Sequence, residues 1–231
     1  MTDHREIGTV FVTGGSSGLG AAVAAAVTKA GGTPAVIDRV PPEAGVPYSL
    51  ADLADSAAAE RAVADLIDQV GEPAAVVTAA GTDACGQLSE VDRESWERVV
   101  RVNLLGTAAV VRACLPALER MQGRIVTVGS TLGLKAVSDA TAYCASKFGV
   151  VGFTRALAAE LAGRVGVTML VPGGMRTAFF ADRPEQYRPA DDAELMDPAE
   201  VAGAVLTVLQ QPPGCVVREL VVTPSVEPSW P

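Results

Sequence analysis

Histidine is almost absent from this sequence, and its scarcity excludes two kinds of site. His4 is the only histidine in 231 residues, so a histidine-based catalytic triad and a histidine-rich metal site are both excluded. The four cysteines, Cys85, Cys114, Cys144 and Cys215, are widely separated and form no CxxC pair. We therefore expect small free thiols rather than disulfides or ligands, and we predict no metal site.

Positive charge and long apolar runs are also scarce. Lys and Arg number 18 against 27 Asp and Glu, a net charge of −9, and the basic residues do not cluster. Binding to nucleic acid or to an anionic membrane is therefore not expected. No run approaches the roughly 18 apolar residues of a membrane span, and the charged N-terminus lacks the apolar core of a signal peptide. We expect a cytoplasmic protein.

The regular alternation of two kinds of segment predicts the fold. Aromatic residues are only 4% of a chain that is 49% hydrophobic, and short β-rich runs alternate with longer Ala-rich helical runs. Predicted strands cover 9–13, 35–38, a short third strand before residue 52, 74–78, 124–129, 167–171 and 217–222; predicted helices cover 18–30, 56–70, 92–121, 141–161 and 198–209. This pattern predicts an α/β fold: one doubly wound Rossmann domain over residues 1–231, with a parallel sheet of about seven strands and helices on both faces.

Residues 173–197 interrupt this alternation. The stretch is rich in charges and carries the aromatic residues Phe179, Phe180 and Tyr187. Loops of this length in a compact domain are usually lids or binding elements. We favour a substrate lid over an irregular surface excursion.

A glycine-rich turn joins the first predicted strand to the first helix. The run from residue 13 to residue 20 reads Thr-Gly-Gly-Ser-Ser-Gly-Leu-Gly, a T-G-x-x-x-G-x-G spacing rather than the ordinary G-x-G-x-x-G fingerprint. Glycines here allow a tight turn and let the backbone approach a pyrophosphate closely. The N-terminus of the following helix attracts the same group. The turn predicts a dinucleotide site that includes Gly14, Ser16, Ser17, Gly18, Leu19 and Gly20.

The second strand ends in a carboxylate that predicts the choice of dinucleotide. Asp38 lies 18 residues after Gly20, where it can accept hydrogen bonds from the adenosine ribose hydroxyls and repel a 2′-phosphate. We therefore favour NAD, although the cation of Arg39 beside the ribose leaves NADP as the less favoured possibility. Asp52, followed by Leu53, either reaches the adenine amino group or simply starts the next helix.

Tyr143 and Lys147 form the most chemically suggestive pair in the chain. They are four residues apart, so on a helix both side chains lie on one face, one turn apart. A phenol ordinarily ionises near pH ~10, and a nearby ammonium favours the phenolate. The pair therefore predicts an acid/base that acts on an alcohol or a carbonyl, with Lys147 lowering the pKa of Tyr143.

Taken together, these residues resemble the short-chain dehydrogenase/reductase family. The glycine-rich turn matches its cofactor motif, Asp38 its NAD-preferring acid, and Tyr143-Cys-Ala-Ser-Lys147 its Y-x-x-x-K motif. Asn103 and Ser130, the latter 13 residues before the tyrosine, match the family's catalytic asparagine and serine. Where the family often has Asn-Asn-Ala-Gly, this chain has Thr-Ala-Ala-Gly at residues 78–81, and the C-terminal tail lacks the family's usual glycine-rich ending.

The resemblance implies hydride transfer between a nicotinamide dinucleotide and a substrate carbon. Tyr143 would exchange the proton on the substrate oxygen, Lys147 would also hold the nicotinamide ribose, and Ser130 would hydrogen-bond the substrate oxygen. Asn103 would hold a water that relays protons to Lys147, or bond the backbone, or both. Further cofactor contacts are implied at Ala79, Ala80, Gly81, Val102, Pro172, Gly173, Met175 and Thr177.

The substrate is expected to be a small hydrophobic secondary alcohol or ketone. The candidate pocket residues are Leu132, Leu134, Val137, Phe179 and Phe180, which are apolar. Three nearby arginines, Arg176, Arg183 and Arg188, either recognise an acid group or a carrier-bound substrate or are solvated, and we favour solvated side chains. An NADPH-dependent ketoreductase of acyl or polyketide intermediates is the main alternative, and a non-catalytic dinucleotide sensor is a remote one. The resemblance also implies a homodimer or homotetramer.

Overall fold

A single parallel sheet forms the centre of the molecule. The computed structural model describes residues 6–190 and 193–230, so His4 lies outside the described residues. The strands are β1 (Thr9–Thr13), β2 (Thr33–Asp38), β3 (Tyr48–Leu50), β4 (Ala75–Thr78), β5 (Arg124–Val128), β6 (Gly166–Pro172) and β7 (Glu219–Val222). They pair in the order β3-β2-β1-β4-β5-β6-β7, and each of these pairs is parallel. The doubly wound fold and the seven-stranded sheet are confirmed.

Helices cover both faces of the sheet because its strands are apolar on both sides. The helices are α1 (Gly18–Lys29), α2 (Ser56–Val70), α3 (Arg93–Val100), α4 (Thr107–Arg120), α5 (Thr141–Glu160) and α6 (Pro198–Leu209). Phe11, Ile37 and Ile125 face a core shared with α2, α4 and α5. Val12 and Val77 face the opposite core, which α1 and α6 complete.

Capping side chains fix where several helices begin. Asp55 accepts hydrogen bonds from the amides of the first turn of α2, and Asp197 forms a capping box with Glu200 ahead of Pro198 in α6. These groups satisfy amides that a helix leaves unpaired. The same two helices were predicted with these bounds.

The predicted helix 92–121 is continuous but contains a short π-helical segment, Arg101–Gly106, between α3 and α4. π-Helical turns are rare and often occur at functional positions; this one carries Asn103. The stretch Arg93–Arg120 is long and apolar enough to cross a membrane by length and composition alone, and half of its most apolar window is buried inside the protein. A core helix has the same properties, so the stretch is weak support for a membrane span.

Candidate active site

A cavity of about 1100 Å³ lies at the carboxyl ends of the central strands. Strand order reverses between β1 and β4, and ligands of open α/β sheets bind at such switch points. The predicted cofactor residues that line it are Gly14, Ser17, Gly18, Leu19, Gly20, Asp38, Arg39, Asp52, Leu53, Ala79, Ala80, Gly81, Val102, Tyr143, Pro172, Gly173, Met175 and Thr177. This volume exceeds that of most single-ligand pockets and suits a dinucleotide together with a substrate.

The turn between β1 and α1 is built by close backbone contacts. Gly14 has a φ of +69°, and a Cβ on it would lie 2.7 Å from the Cα of Ala80. A Cβ on Gly20 would lie 2.1 Å from the carbonyl oxygen of Gly14. Side chains at either position would therefore displace the turn. Ala80 is held beside it by its amide, which donates to the Thr13 hydroxyl at 3.1 Å.

The N-terminus of α1 is prepared for an anion. Ser17 occupies the N-cap position but makes no side-chain capping bond, and the first turn contains no acidic residue. Uncapped amides and the helix dipole favour a phosphate group at this place. Ser17, Gly18 and Leu19 all line the cavity. The residues present therefore fit the pyrophosphate of a dinucleotide.

Ser16 does not line the cavity, and its predicted contact with the cofactor stays a prediction. Its amide donates to a carboxylate oxygen of Asp38 at 2.9 Å, and its hydroxyl donates to the carbonyl of Val40 at 2.7 Å. The other Asp38 oxygen accepts from the Arg39 amide at 2.6 Å. Because these amides fix the carboxylate from the backbone side, Ser16 acts through Asp38.

At the far end of the cavity Asp52 is paired with an arginine that the sequence interpretation missed. Arg98, on α3, donates to both Asp52 oxygens at 2.8 and 3.1 Å, and the Ala54 amide donates at 2.9 Å. Burial works to raise the pKa of Asp52, but the bonds from Ala54 and Arg98 and nearby positive charge outweigh it and lower the pKa. The Asp52 carboxylate is therefore already paired with Arg98 at the place where it was predicted to reach the adenine amino group.

The end of β4 departs from the family pattern without opening the structure. Thr78 is buried, and its hydroxyl has no hydrogen-bond partner among the described residues. Residues 79–81 continue past the glycine-rich turn and line the cavity. A Cβ on Gly81 would meet only the Asn103 Oδ1 at 3.5 Å and the Lys147 Nζ at 3.9 Å. The small residues thus leave room above two of the predicted catalytic side chains.

Helix α5 brings Tyr143 and Lys147 to one face, as their spacing predicts. The Lys147 ammonium is buried, donates to the carbonyl of Val128 at 2.9 Å, and lies over the Tyr143 ring at 5.6 Å from its centroid. Ser130 follows β5; its hydroxyl accepts from the Leu132 amide at 3.1 Å and lies close enough to the Tyr143 phenol to lower its pKa. Tyr143 and Ser130 both line the cavity.

The pKa of Tyr143 differs from the prediction in its direction of shift. Burial raises the pKa of Tyr143 to about 12, against the lowering effects of the Ser130 hydrogen bond and the Arg183 charge, while Asp83 adds to the rise. Burial also lowers the pKa of Lys147 to about 8. The expected lowering of the phenol pKa by Lys147 is therefore wrong for the protein without dinucleotide, because desolvation disfavours both charged forms.

Asn103 is buried in the π-helical segment and ties two elements together. Its amide nitrogen donates to the Thr82 carbonyl and the Ser146 hydroxyl, and its oxygen accepts from the Thr82 amide at 2.8 Å. Its own carbonyl accepts from the Thr107 hydroxyl. The backbone-bonding role is thus realised, and one acceptor position of the side-chain oxygen remains.

The substrate end of the cavity is apolar, with two corrections. Leu132, Phe179 and Phe180 line it as predicted. Leu134 instead packs against the small core of Val151, Met169 and Val171. Val137 is 42% exposed and lies outside the cavity wall. Neither side chain therefore lines the cavity.

Arg176 and Arg188 are exposed, as expected, although each donates to backbone carbonyls, whereas Arg183 is largely buried, contrary to the expectation. Arg176 donates to the Leu195 carbonyl, and Arg188 donates to the Ala181 and Arg183 carbonyls. Arg183 pairs with Asp83 at 2.5 Å, and its side chain is only 18% exposed. Asp83, in the loop after β4, was not identified from the sequence.

The C-terminal tail forms part of the cavity wall, which the sequence did not indicate. Val226, Glu227, Pro228 and Ser229 line it. The Glu227 carboxylate accepts from the Gly174 amide at 3.1 Å, and the Ser229 hydroxyl bonds that of Thr131 at 2.6 Å. No motif marks this tail, so only its folded position reveals the contact.

The fold and this constellation define a nicotinamide-dinucleotide oxidoreductase, and comparison with known proteins gives the family. The model of the short chain dehydrogenase family matches residues 8–188. The chain belongs to the short-chain dehydrogenase/reductase family and is an NAD(P)-dependent dehydrogenase or reductase.

Relatives within the family act on different substrates, to judge by their names. A putative ketoacyl reductase of Streptomyces coelicolor is 36% identical, over 77% of this chain and 74% of its own. The 2-(S)-hydroxypropyl-CoM dehydrogenase 3 of Xanthobacter autotrophicus is 31% identical, over 75% of this chain and 73% of its own. A solved structure, a single-residue variant of actinorhodin polyketide ketoreductase with NADPH, is 31% identical, with a TM-score of 0.83 over 93% of this chain and 95% of that one.

Proposed function

We propose that this protein transfers a hydride between NAD(H) and a hydrophobic secondary alcohol or ketone. The observation that carries the proposal is the placement of Tyr143 and Ser130 in the same cavity as the uncapped N-terminus of α1. One end of the cavity suits a pyrophosphate and the other an apolar molecule. When bound, the nicotinamide supplies the hydride acceptor or donor.

The side chains have distinct roles in this proposal. Tyr143 takes the proton from an alcohol, or gives one to a ketone, at the substrate oxygen. The Ser130 hydroxyl donates to that oxygen and holds it beside the phenol, a contribution typically worth ~3 kcal/mol. Lys147, fixed by the Val128 carbonyl, presents its ammonium to the ribose side of the site, and the free acceptor position of Asn103 holds a water near it.

The choice of NAD rests on Asp38. Its carboxylate lines the cavity and is held in place by the amides of Ser16 and Arg39. A fixed negative charge accepts hydrogen bonds from ribose hydroxyls and repels a phosphate. The Arg39 side chain also lines the cavity, and the related polyketide ketoreductase was solved with NADPH, so binding of both dinucleotides must be measured.

An NADPH-dependent ketoreductase of acyl or polyketide intermediates is the second candidate. Its support is the names of two relatives, the putative ketoacyl reductase and the polyketide ketoreductase. The deciding experiment compares kcat/KM for secondary alcohols, simple ketones and acyl thioesters, each with NAD(H) and NADP(H). The proposal predicts the highest kcat/KM for an apolar alcohol or ketone with NAD(H). A preference for acyl thioesters with NADPH contradicts it, and no turnover by a correctly folded protein supports the dinucleotide sensor instead.

We further propose a cytoplasmic homodimer or homotetramer. Leu105, in the π-helical segment, and Phe148, on α5, are 48% and 44% exposed. These helices pack closely, since a Cβ on Gly149 would lie 2.7 Å from Leu104. Exposed apolar side chains on adjoining helices suit contact with a second copy. Light scattering should give a multiple of the monomer mass, reduced by Phe148→Glu; a monomeric wild type contradicts the proposal.

A further inference from the structure

A buried ion pair joins two loops at the substrate end of the cavity. The Arg183 guanidinium lies 2.5 Å from an Asp83 carboxylate oxygen, and their side chains are 18% and 5% exposed. Burying two charges is costly unless geometry and additional bonds compensate. Most other ion pairs among the described residues are more exposed than this one. The burial of this ion pair therefore points to a functional role.

Both partners are held in place from their own sides. The Asp83 carboxylate accepts from the Ala84 amide at 2.7 Å and from the Cys85 thiol at 3.2 Å. Arg183 also donates to the Tyr187 carbonyl at 3.3 Å. The pair thus connects the loop after β4, which is attached to the sheet, to the middle of residues 173–197.

Backbone bonds join residues 174–176 to Met196 near the two ends of this stretch. Met175 and Met196 form an isolated parallel β-bridge. The Arg176 amide donates to the Met196 carbonyl at 2.8 Å, and the Met196 amide donates to the Gly174 carbonyl at 3.0 Å. Since these bonds close the base of the segment, the position of its middle depends on what it contacts across the cavity. Asp83 is the charged contact there.

The Arg183 guanidinium also contacts two aromatic rings. The Arg183 guanidinium stacks over Phe180 at 4.6 Å and over Phe179 at 5.3 Å from the ring centroids. Phe179 packs edge-on against Phe180 at 5.5 Å and contacts the Tyr143 ring at 5.7 Å. An unbroken chain of contacts therefore runs from Asp83 through Arg183 and Phe179 to the proposed proton-transfer residue.

We propose that Asp83 and Arg183 form a latch that holds residues 176–188 over the cavity and positions Phe179 against Tyr143. In this role they are positioning residues that set the width of the substrate end, and they act through Phe179. The expected effect of the latch on turnover rests on the proposed function, whereas the presence of the latch in the fold does not.

The two charges of the latch act on the phenol with opposite sign. The charged and titratable groups acting on Tyr143 are Asp83, Arg183 and Cys144, together with the Ser130 hydroxyl, and Lys147 lies over its ring. Asp83 raises the pKa of Tyr143 and Arg183 lowers it. With both charges present, their effects on the pKa of Tyr143 oppose each other.

The first test measures the latch without any substrate. Amide hydrogen exchange is followed over residues 176–188 in the wild type, Asp83→Asn, Arg183→Met and the matched control Arg120→Met, which removes an exposed ion pair with Glu72. We expect exchange in this segment to accelerate at least about tenfold in both latch variants and to stay unchanged in the control. Unchanged exchange in the latch variants overturns the proposal.

The second test measures positioning during turnover. Each latch variant should lower kcat/KM for a bulky secondary alcohol by at least about tenfold while leaving the dinucleotide Kd within about twofold. Arg183→Lys should recover part of the loss because it keeps the charge. Unchanged kcat/KM in both latch variants contradicts positioning through the pair.

A third variant keeps the test decisive if a latch variant does not fold. Phe179→Leu keeps both charges of the ion pair and removes the ring that contacts Tyr143, Phe180 and the Arg183 guanidinium. We expect it to change the ratio of kcat/KM between 1-phenylethanol and 2-propanol by at least about fivefold, and an unchanged ratio overturns the proposal. If the wild type turns over no alcohol or ketone, the proposed function fails, whereas the exchange result still decides the latch.

Discussion

The Lys147 ammonium lies over the ring of Tyr143, 5.6 Å from its centroid, and donates to the Val128 carbonyl at 2.9 Å. Both side chains are therefore preorganised on α5, but burial makes each of them harder to ionise in the protein alone. The pKa of the phenol is raised to about 12 and that of the ammonium is lowered to about 8. On this account the positive charge of oxidised nicotinamide offsets this effect at the phenol, so binding and activation are coupled.

Removing the Ser130 hydroxyl should slow turnover and change its pH dependence. Ser130→Ala loses a donor to the substrate oxygen, and we expect kcat to fall about 100- to 1,000-fold. Because Ser130 lowers the pKa of Tyr143, the pH at which the rate of alcohol oxidation reaches half its maximum should rise in the variant. Steady-state kinetics across pH would check both effects, with the exposed Ser225→Ala as control. Unchanged kcat in Ser130→Ala contradicts this role.

Removing the buried charge of Lys147 should stabilise the protein without dinucleotide. The pKa of Lys147 is about 8 in the folded protein, against an ordinary value of 10.5, so the unfolded chain binds more protons between these values. Wild-type stability therefore rises with pH across that window. Lys147→Met should be more stable by up to about 3 kcal/mol below pH 8, and the difference should shrink towards pH 10.5.

Urea unfolding at a series of pH values measures this difference. Lys29→Met, at an exposed lysine of α1, is the matched control and should show no such pH-dependent gain. A Lys147→Met variant that is less stable at every pH would mean that the bond to the Val128 carbonyl outweighs the cost of burying the charge.

Removing the Asp38 carboxylate should weaken the discrimination between dinucleotides. Asp38→Ala eliminates the charge that repels a 2′-phosphate. It also removes the acceptor for the Ser16 amide, which donates to the Asp38 carboxylate at 2.9 Å in the wild type. We expect the ratio of the NADPH Kd to the NADH Kd to fall at least about tenfold, an electrostatic effect of about 1.4 kcal/mol. Fluorescence titration of both dinucleotides checks it, with the exposed Asp68→Asn as control. A wild type that binds NADPH more tightly contradicts the role of Asp38.

Most of the fold could be predicted because strand and helix periods are visible in the sequence. The bounds of β1, α2 and α6 agree with the prediction. The glycine-rich turn, Asp38 and Tyr143 were located because their chemistry depends on residues close in sequence. The contact of Ser16 with Val40 could not be predicted, because it depends on how the turn directs the hydroxyl.

The remaining features depend on contacts between distant residues. Asp83 and Arg183 are 100 residues apart, and the tail reaches the cavity through Glu227 and Gly174. Leu134 was misassigned because one turn of chain decides whether an apolar side chain faces a cavity or a core. The pKa of Tyr143 was predicted in the wrong direction because burial cannot be read from a four-residue spacing.

The most direct test of the account is single-turnover hydride transfer by Tyr143→Phe. The wild type, Tyr143→Phe and the exposed control Tyr48→Phe are each saturated with NAD and mixed with the best alcohol substrate, and the appearance of NADH absorbance is followed. We predict a rate at least about 100-fold lower in Tyr143→Phe, a normal rate in Tyr48→Phe, and NAD affinity within about twofold in all three. A Tyr143→Phe rate close to that of the wild type would show that another group moves the proton.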